Sequence, residues 1–94
     1  MIQNKSMELG ATIEALYESE INCSVATFWD AGIEVKLGDE MNGFVAEKEC
    51  KTASEAAEFL DREARRQFPD SAYALGKEEW ERRNQTRKDR HKNN

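Results

Sequence analysis

The spacing of apolar and polar side chains changes several times along the chain, and each change marks an element. Leu9, Ile13, Leu16 and Tyr17 recur at helical spacing while Glu8, Glu14 and Glu18 fall largely elsewhere around the axis, which predicts an amphipathic helix ending near Ser19. Ser6 stands where an N-cap belongs, and Glu8 lies in the first turn, where a negative charge suits the exposed amides. Gly10 costs such a helix roughly 1 kcal/mol relative to Ala, and either close approach to a sheet or simple tolerance would account for it.

In "INCSVATFW" the period falls to two. Ile21, Cys23, Val25, Thr27 and Trp29 share one face of the expected strand, and Asn22, Ser24, Ala26 and Phe28 the other. Asp30, Ala31 and Gly32 then read as a three-residue hairpin loop, with Gly32 supplying the positive φ of a G1-type bulge. The return strand alternates cleanly, Ile33, Val35 and Leu37 against Glu34 and Lys36. A longer turn, "GDEMNG", leads to a third strand, "FVAEKEC". There Phe44, Ala46 and Cys50 are expected inward with Lys48 as the exception, and Val45, Glu47 and Glu49 outward.

Thr52 and Glu55 have the spacing of a capping box and open a second helix, whose apolar stripe reads Ala53, Ala57, Leu60, Ala64 and Phe68. Pro69 stops it at or before Phe68. Asp70 is placed to cap a short third helix carrying Tyr73 and Trp80 on one side, and from Glu81 onward the chain has no hydrophobic residue. The expected fold is therefore α+β, a two-layer α-β-β-β-α sandwich. A three-stranded antiparallel sheet carries two helices on one face, over a single domain at 7–76. Residues 77–94 form a charged extension, helical or disordered.

Charge divides the chain in the same place. Residues 1–76 carry seven basic and fifteen acidic side chains, a net of −8, while residues 77–94 carry seven basic and four acidic, a net of +3. An acidic body repels nucleic acid and anionic membrane. The element order matches that of double-stranded RNA-binding domains, but the second helix opens with Glu55 and Glu58 where phosphate contacts would need basic side chains. The longest unbroken apolar runs fall far short of the roughly 20 residues that cross a bilayer, so no membrane role is expected. Cys23 and Cys50 have no C-x-x-C spacing and read as free thiols in a reducing compartment. Cytoplasmic residence is the corresponding expectation.

From about residue 12 to 74, the string "IEALYESEINCSVATFWDAGIEVKLGDEMNGF" and the later "FPDSAYA" resemble a family of small proteobacterial and phage proteins without an assigned biochemical role. The resemblance implies a module ending near Ala74, with the basic extension as an addition. It brings no activity, cofactor or site residue.

Catalysis finds no constellation. His91, the one histidine, is the fourth residue counted from the end, and no serine or cysteine stands in a nucleophile motif. Asp30, Asp39, Glu40 and Asn42 offer oxygen ligands, but in two turns at opposite ends of the central strand, so neither metal nor cofactor is expected. The expectation is a non-enzymatic protein acting by association with itself or another protein. Its candidate contacts are Phe28, Trp29, Tyr73 and Trp80. The alternative is an accessory nucleic-acid binder that uses Arg82, Arg83, Arg87, Lys88, Arg90 and Lys92 for phosphate contacts.

Overall fold

The computed structural model describes residues 8–92, with side chains described through residue 84. Helix α1 (Leu9–Glu18) is followed by strands β1 (Cys23–Phe28), β2 (Gly32–Asp39) and β3 (Gly43–Cys50), then α2 (Ala53–Gln67), α3 (Ala72–Leu75) and α4 (Lys77–Lys92). The strands form one antiparallel sheet in the order β1-β2-β3. Helices α1 and α2 pack against each other on one side of it, α1 over β1 and α2 over β2 and β3. The expected sandwich is thus the observed one.

Leu16, Val35, Leu37, Leu60 and Cys50 are the largest side chains withdrawn completely from water, and they meet between the helices and the sheet. Removing the bulk of one such leucine costs about 2–5 kcal/mol. On α2 the buried stripe is Ala56, Ala57, Leu60, Glu63 and Ala64, flanked by Phe59. Ala53, expected on it, is exposed in the first turn. On α1 the buried positions are Thr12 and Leu16, and Tyr17, expected inward, is 81% exposed. Thr12 satisfies its hydroxyl locally, donating to the Glu8 carbonyl at 2.9 Å, which lets a polar residue take the inward position. Glu8 itself occupies the N-cap without a side-chain bond, and Ser6 lies outside the described residues.

Helix α1 ends in a Schellman motif. The Ile21 amide donates to the Leu16 carbonyl and the Glu20 amide to that of Tyr17. Glu20 takes the left-handed conformation, φ 63°, at the position where glycine is usual. The motif turns the chain so that Ile21 joins Leu16 in the core.

Three local corrections change which side chains share a face. The first hairpin loop is Trp29 to Ala31, closed by the Ala31 amide on the Phe28 carbonyl at 2.9 Å. Trp29 has therefore left the ladder and belongs to neither face. Gly32 has the expected positive φ, 120°, and a Cβ there would meet the Cys50 carbonyl oxygen at 2.6 Å. Next, the β2–β3 register slips between Leu37 and Gly38: Leu37 faces Ala46, but Gly38 faces Phe44. One inserted residue exchanges the faces of the strand beyond it. Phe44 thus lies on the open side, under the Lys36 ammonium 5.1 Å from its ring centre, and Val45 turns toward Ile21 and Phe68. Finally, Ser71 rather than Asp70 caps α3, accepting from the Ala74 amide at 3.2 Å. Gly76 at φ 94° breaks that helix from α4.

Candidate functional site

The first hairpin is the strongest departure from an ordinary surface. Phe28 ends β1 on the open face and is 51% exposed; Trp29, next to it in the loop, is 98% exposed. An indole wholly in water is unusual, because Trp combines a large apolar area with a single polar N–H and is normally well covered. The loop places it there for a backbone reason. The tight connection closes immediately after Phe28, and Gly32 must sit against β3, so the residue after Phe28 is carried outward.

The open face itself is not an apolar plate. Ser24, Lys36 and Glu47 cross it in one row, and Ala26, Glu34 and Glu49 in the next. Phe28 and Phe44 stand at opposite ends, level with Gly32 and Gly38, about 20 Å apart at strand spacing. The two rings cannot form one patch.

Tyr73 and Trp80 are both half-buried, and neither joins the hairpin residues. The Tyr73 hydroxyl donates to Asp61 Oδ1 at 2.6 Å, and Arg65, itself bonded to the same oxygen at 3.1 Å, lies over the Tyr73 ring. Burial, then the Asp61 carboxylate, pushes the Tyr73 phenol far up. This is how α3 is pinned to α2. Trp80 lies in α4, which packs against α3, and its carbonyl accepts from Asn84 Nδ2.

Of the basic candidates, Arg82 pairs with Glu79 at 2.8 Å, and Arg83 with Glu79 at 2.9 Å and Asp70 at 3.6 Å. Their charge is therefore partly committed within the chain. The side chains of Arg87, Lys88, Arg90 and Lys92, and that of His91, lie outside the described residues.

A cleft of about 330 Å³ opens at the other end of β1. Its walls include Glu20, Ile21, Asn22, Asp39, Val45 and Phe68. Asp39 accepts from the Asn42 amide at 2.7 Å, from Asn22 Nδ2 at 2.7 Å and from Asn42 Nδ2 at 3.2 Å. These bonds, the Asn42 amide first, hold its carboxyl below the usual range. They occupy the carboxylate and stitch the second turn to the α1–β1 connection.

Cys23 faces Leu37 and Cys50 faces Ile33, so β2 and four residues of offset separate the thiols, well beyond the Cα spacing of about 7 Å a disulfide tolerates. Both are free, and burial pushes both thiols up, away from the reactive thiolate. Among the described residues no group of three or more His, Cys, Asp or Glu is arranged to hold a metal ion, and no helix is long and apolar enough to cross a membrane.

Comparison of the chain with protein-family models, with curated proteins and with solved structures gives no match.

Sequence reading missed Tyr17 and Met41, the latter 94% exposed at the tip of the second turn. Tyr17 was hidden by its helical spacing, which fits an apolar stripe equally well on either flank of Leu16.

Proposed function

We propose that the protein acts without catalysis, by associating through the β1 side of the sandwich, with Trp29 and Phe28 as its anchors. The observation that carries this reading is the 98% exposure of Trp29 beside the half-exposed Phe28. Buried aromatic anchors supply much of the energy of protein interfaces, and Trp leads among them. A cytoplasmic setting accords with two unpaired thiols.

The test uses the chain's two tryptophans. With Trp80→Phe, emission reports Trp29 alone. The expected result is a blue shift as protein concentration rises or as cell extract is added, and its loss with Phe28→Ala. Emission that stays at the wavelength of fully hydrated indole under both conditions removes the proposal.

A further inference from the structure

The two edges of the sheet are not alike. β3 is guarded by Glu47, Lys48 and Glu49, the charges that natural edge strands use against stray pairing. β1, Cys-Ser-Val-Ala-Thr-Phe, is the other edge and carries no charge and no proline. Its hydrogen-bonding pattern can be read from the Gly38 amide donating to the Asn22 carbonyl at 2.7 Å. Even-numbered residues bond inward to β2, and alternation directs the N–H and C=O groups of Cys23, Val25 and Thr27 at the free edge.

The helix above β1 is unfinished on the same side. One flank of α1, with Glu8, Thr12, Ala15 and Ser19, lines a groove with Asp61, Arg65 and Tyr73. Ile13 and Tyr17 lie on the opposite flank, turned from α2, together with Gly10, whose missing Cβ would meet nothing within 4 Å.

Resting on the association proposed above, we infer that its partner is a second copy of this chain, joined by antiparallel pairing of the two β1 edges about a two-fold axis at Val25. A six-stranded sheet results, with helices on one face. That axis keeps like faces together, so only residues of the same parity can be opposed. Centring on Val25 pairs Cys23 with Thr27 of the second copy and uses every outward-directed group, about six inter-strand hydrogen bonds.

Charge leaves this contact open along the strand itself, with Glu20 level with Asp30 of the second copy only at its two ends. A body of net −8 over residues 1–76 repels its copy in most orientations, and β1 is a strand from which charge is absent. Area supports it as well. A six-residue edge alone falls short of the roughly 1,000 Å² that a specific interface needs. The same register brings Trp29 level with Ile21 of the second copy, which lines the 330 Å³ cleft. Each aromatic side chain buries roughly 150–250 Å², and the symmetry counts each twice.

The deciding variant is Thr27→Pro in the full chain. Thr27 directs its N–H away from β2, so proline leaves the β1–β2 ladder whole and removes a donor only from the proposed pairing. In sedimentation from micromolar to millimolar concentration, the expected result is a reversible dimer for the wild type and for Thr27→Ser. Thr27→Pro is expected to be a monomer whose thermal midpoint matches that of the wild type at concentrations where the wild type is monomeric. The pair Ser24→Cys and Ala26→Cys, combined in one chain, is expected to give a covalent dimer on oxidation, as each faces the other across the axis. A wild type that stays monomeric overturns the inference, as does a Thr27→Pro dimer. A shift of Trp29 emission in cell extract with monomeric protein would leave the association reading standing and this one refuted.

Discussion

At the scale of single residues, Gly10 and Glu20 are each poorly matched to their backbone, in opposite senses. Gly10 occupies a helix interior with open space where its Cβ would be, so Gly10→Ala is expected to stabilise the monomer by about 0.5–1 kcal/mol. Glu20 holds φ 63°, where a side chain costs roughly 1–2 kcal/mol, so Glu20→Gly is expected to gain stability of similar order. Urea denaturation of both variants checks the pair. A loss in either would mean that the residue has a contact beyond its backbone role. Gly10 was legible as a weak point, but its excuse was not, because open space around a helix is a tertiary fact. Glu20 gave no signal at all, since nothing in "ESEIN" distinguishes a left-handed glutamate from an exposed helical one.

At the scale of elements, the start of α2 is the most fully determined join in the chain. Thr52 Oγ1 accepts from the Glu55 amide at 3.1 Å, as the capping-box spacing predicts. Glu55 reaches back one residue further than that motif requires, accepting from the Lys51 amide at 3.0 Å, and its second oxygen lies 3.5 Å from Lys48 Nζ on β3. The Lys51 amide first, and then Lys48, hold the Glu55 carboxyl below its usual range. Asp39 is held down in the same direction by Asn42 and Asn22. A depressed folded pKa means that the native state binds its proton less tightly than the unfolded chain. The stability it contributes is therefore complete above the ordinary carboxylate range and is lost as pH falls through the folded value. Thr52→Ala is expected to cost about 1 kcal/mol. Glu55→Gln and Asp39→Asn should each make stability less sensitive to acid below the ordinary carboxylate pKa. Denaturation midpoints measured from neutral to acid pH report both effects. An acid limb as steep as the wild type's in both variants would deny these carboxylates their role.

At the scale of the whole molecule, the order is uneven. The core lies between α1, α2 and the sheet, while α4 packs on α3 and extends from the body. The radius of gyration of 15.7 Å exceeds the roughly 12 Å of a compact chain of 94 residues. Amides of Val35, Leu37 and Leu60 are expected to exchange with solvent only through global unfolding, and those of residues 81–84 through local opening. Hydrogen exchange resolves the two classes, and equal protection in both would show that α4 shares the core's cooperativity. The alternative use of the extension, phosphate binding, finds Arg82 and Arg83 already paired with Glu79. The acidic body and the neutral β1 edge belong to this scale too, because their consequence is for how two whole molecules meet.

The sequence by itself determined the elements from α1 through α2, their order and the join at Thr52, because helix spacing, strand alternation and capping depend on neighbours a few residues away. It also determined which strands pair, since short turns leave adjacent strands no other partner. Only the tertiary structure decided the faces. A one-residue slip at Gly38 exchanged Phe44 and Val45, a loop one residue earlier than expected carried Trp29 off the sheet, and the pairing of α1 with α2 left Tyr17 on the outer flank. Each turns on register or on which flank meets a neighbour, quantities set by long-range packing and invisible to any local period. The surface proposed for association is built from those residues.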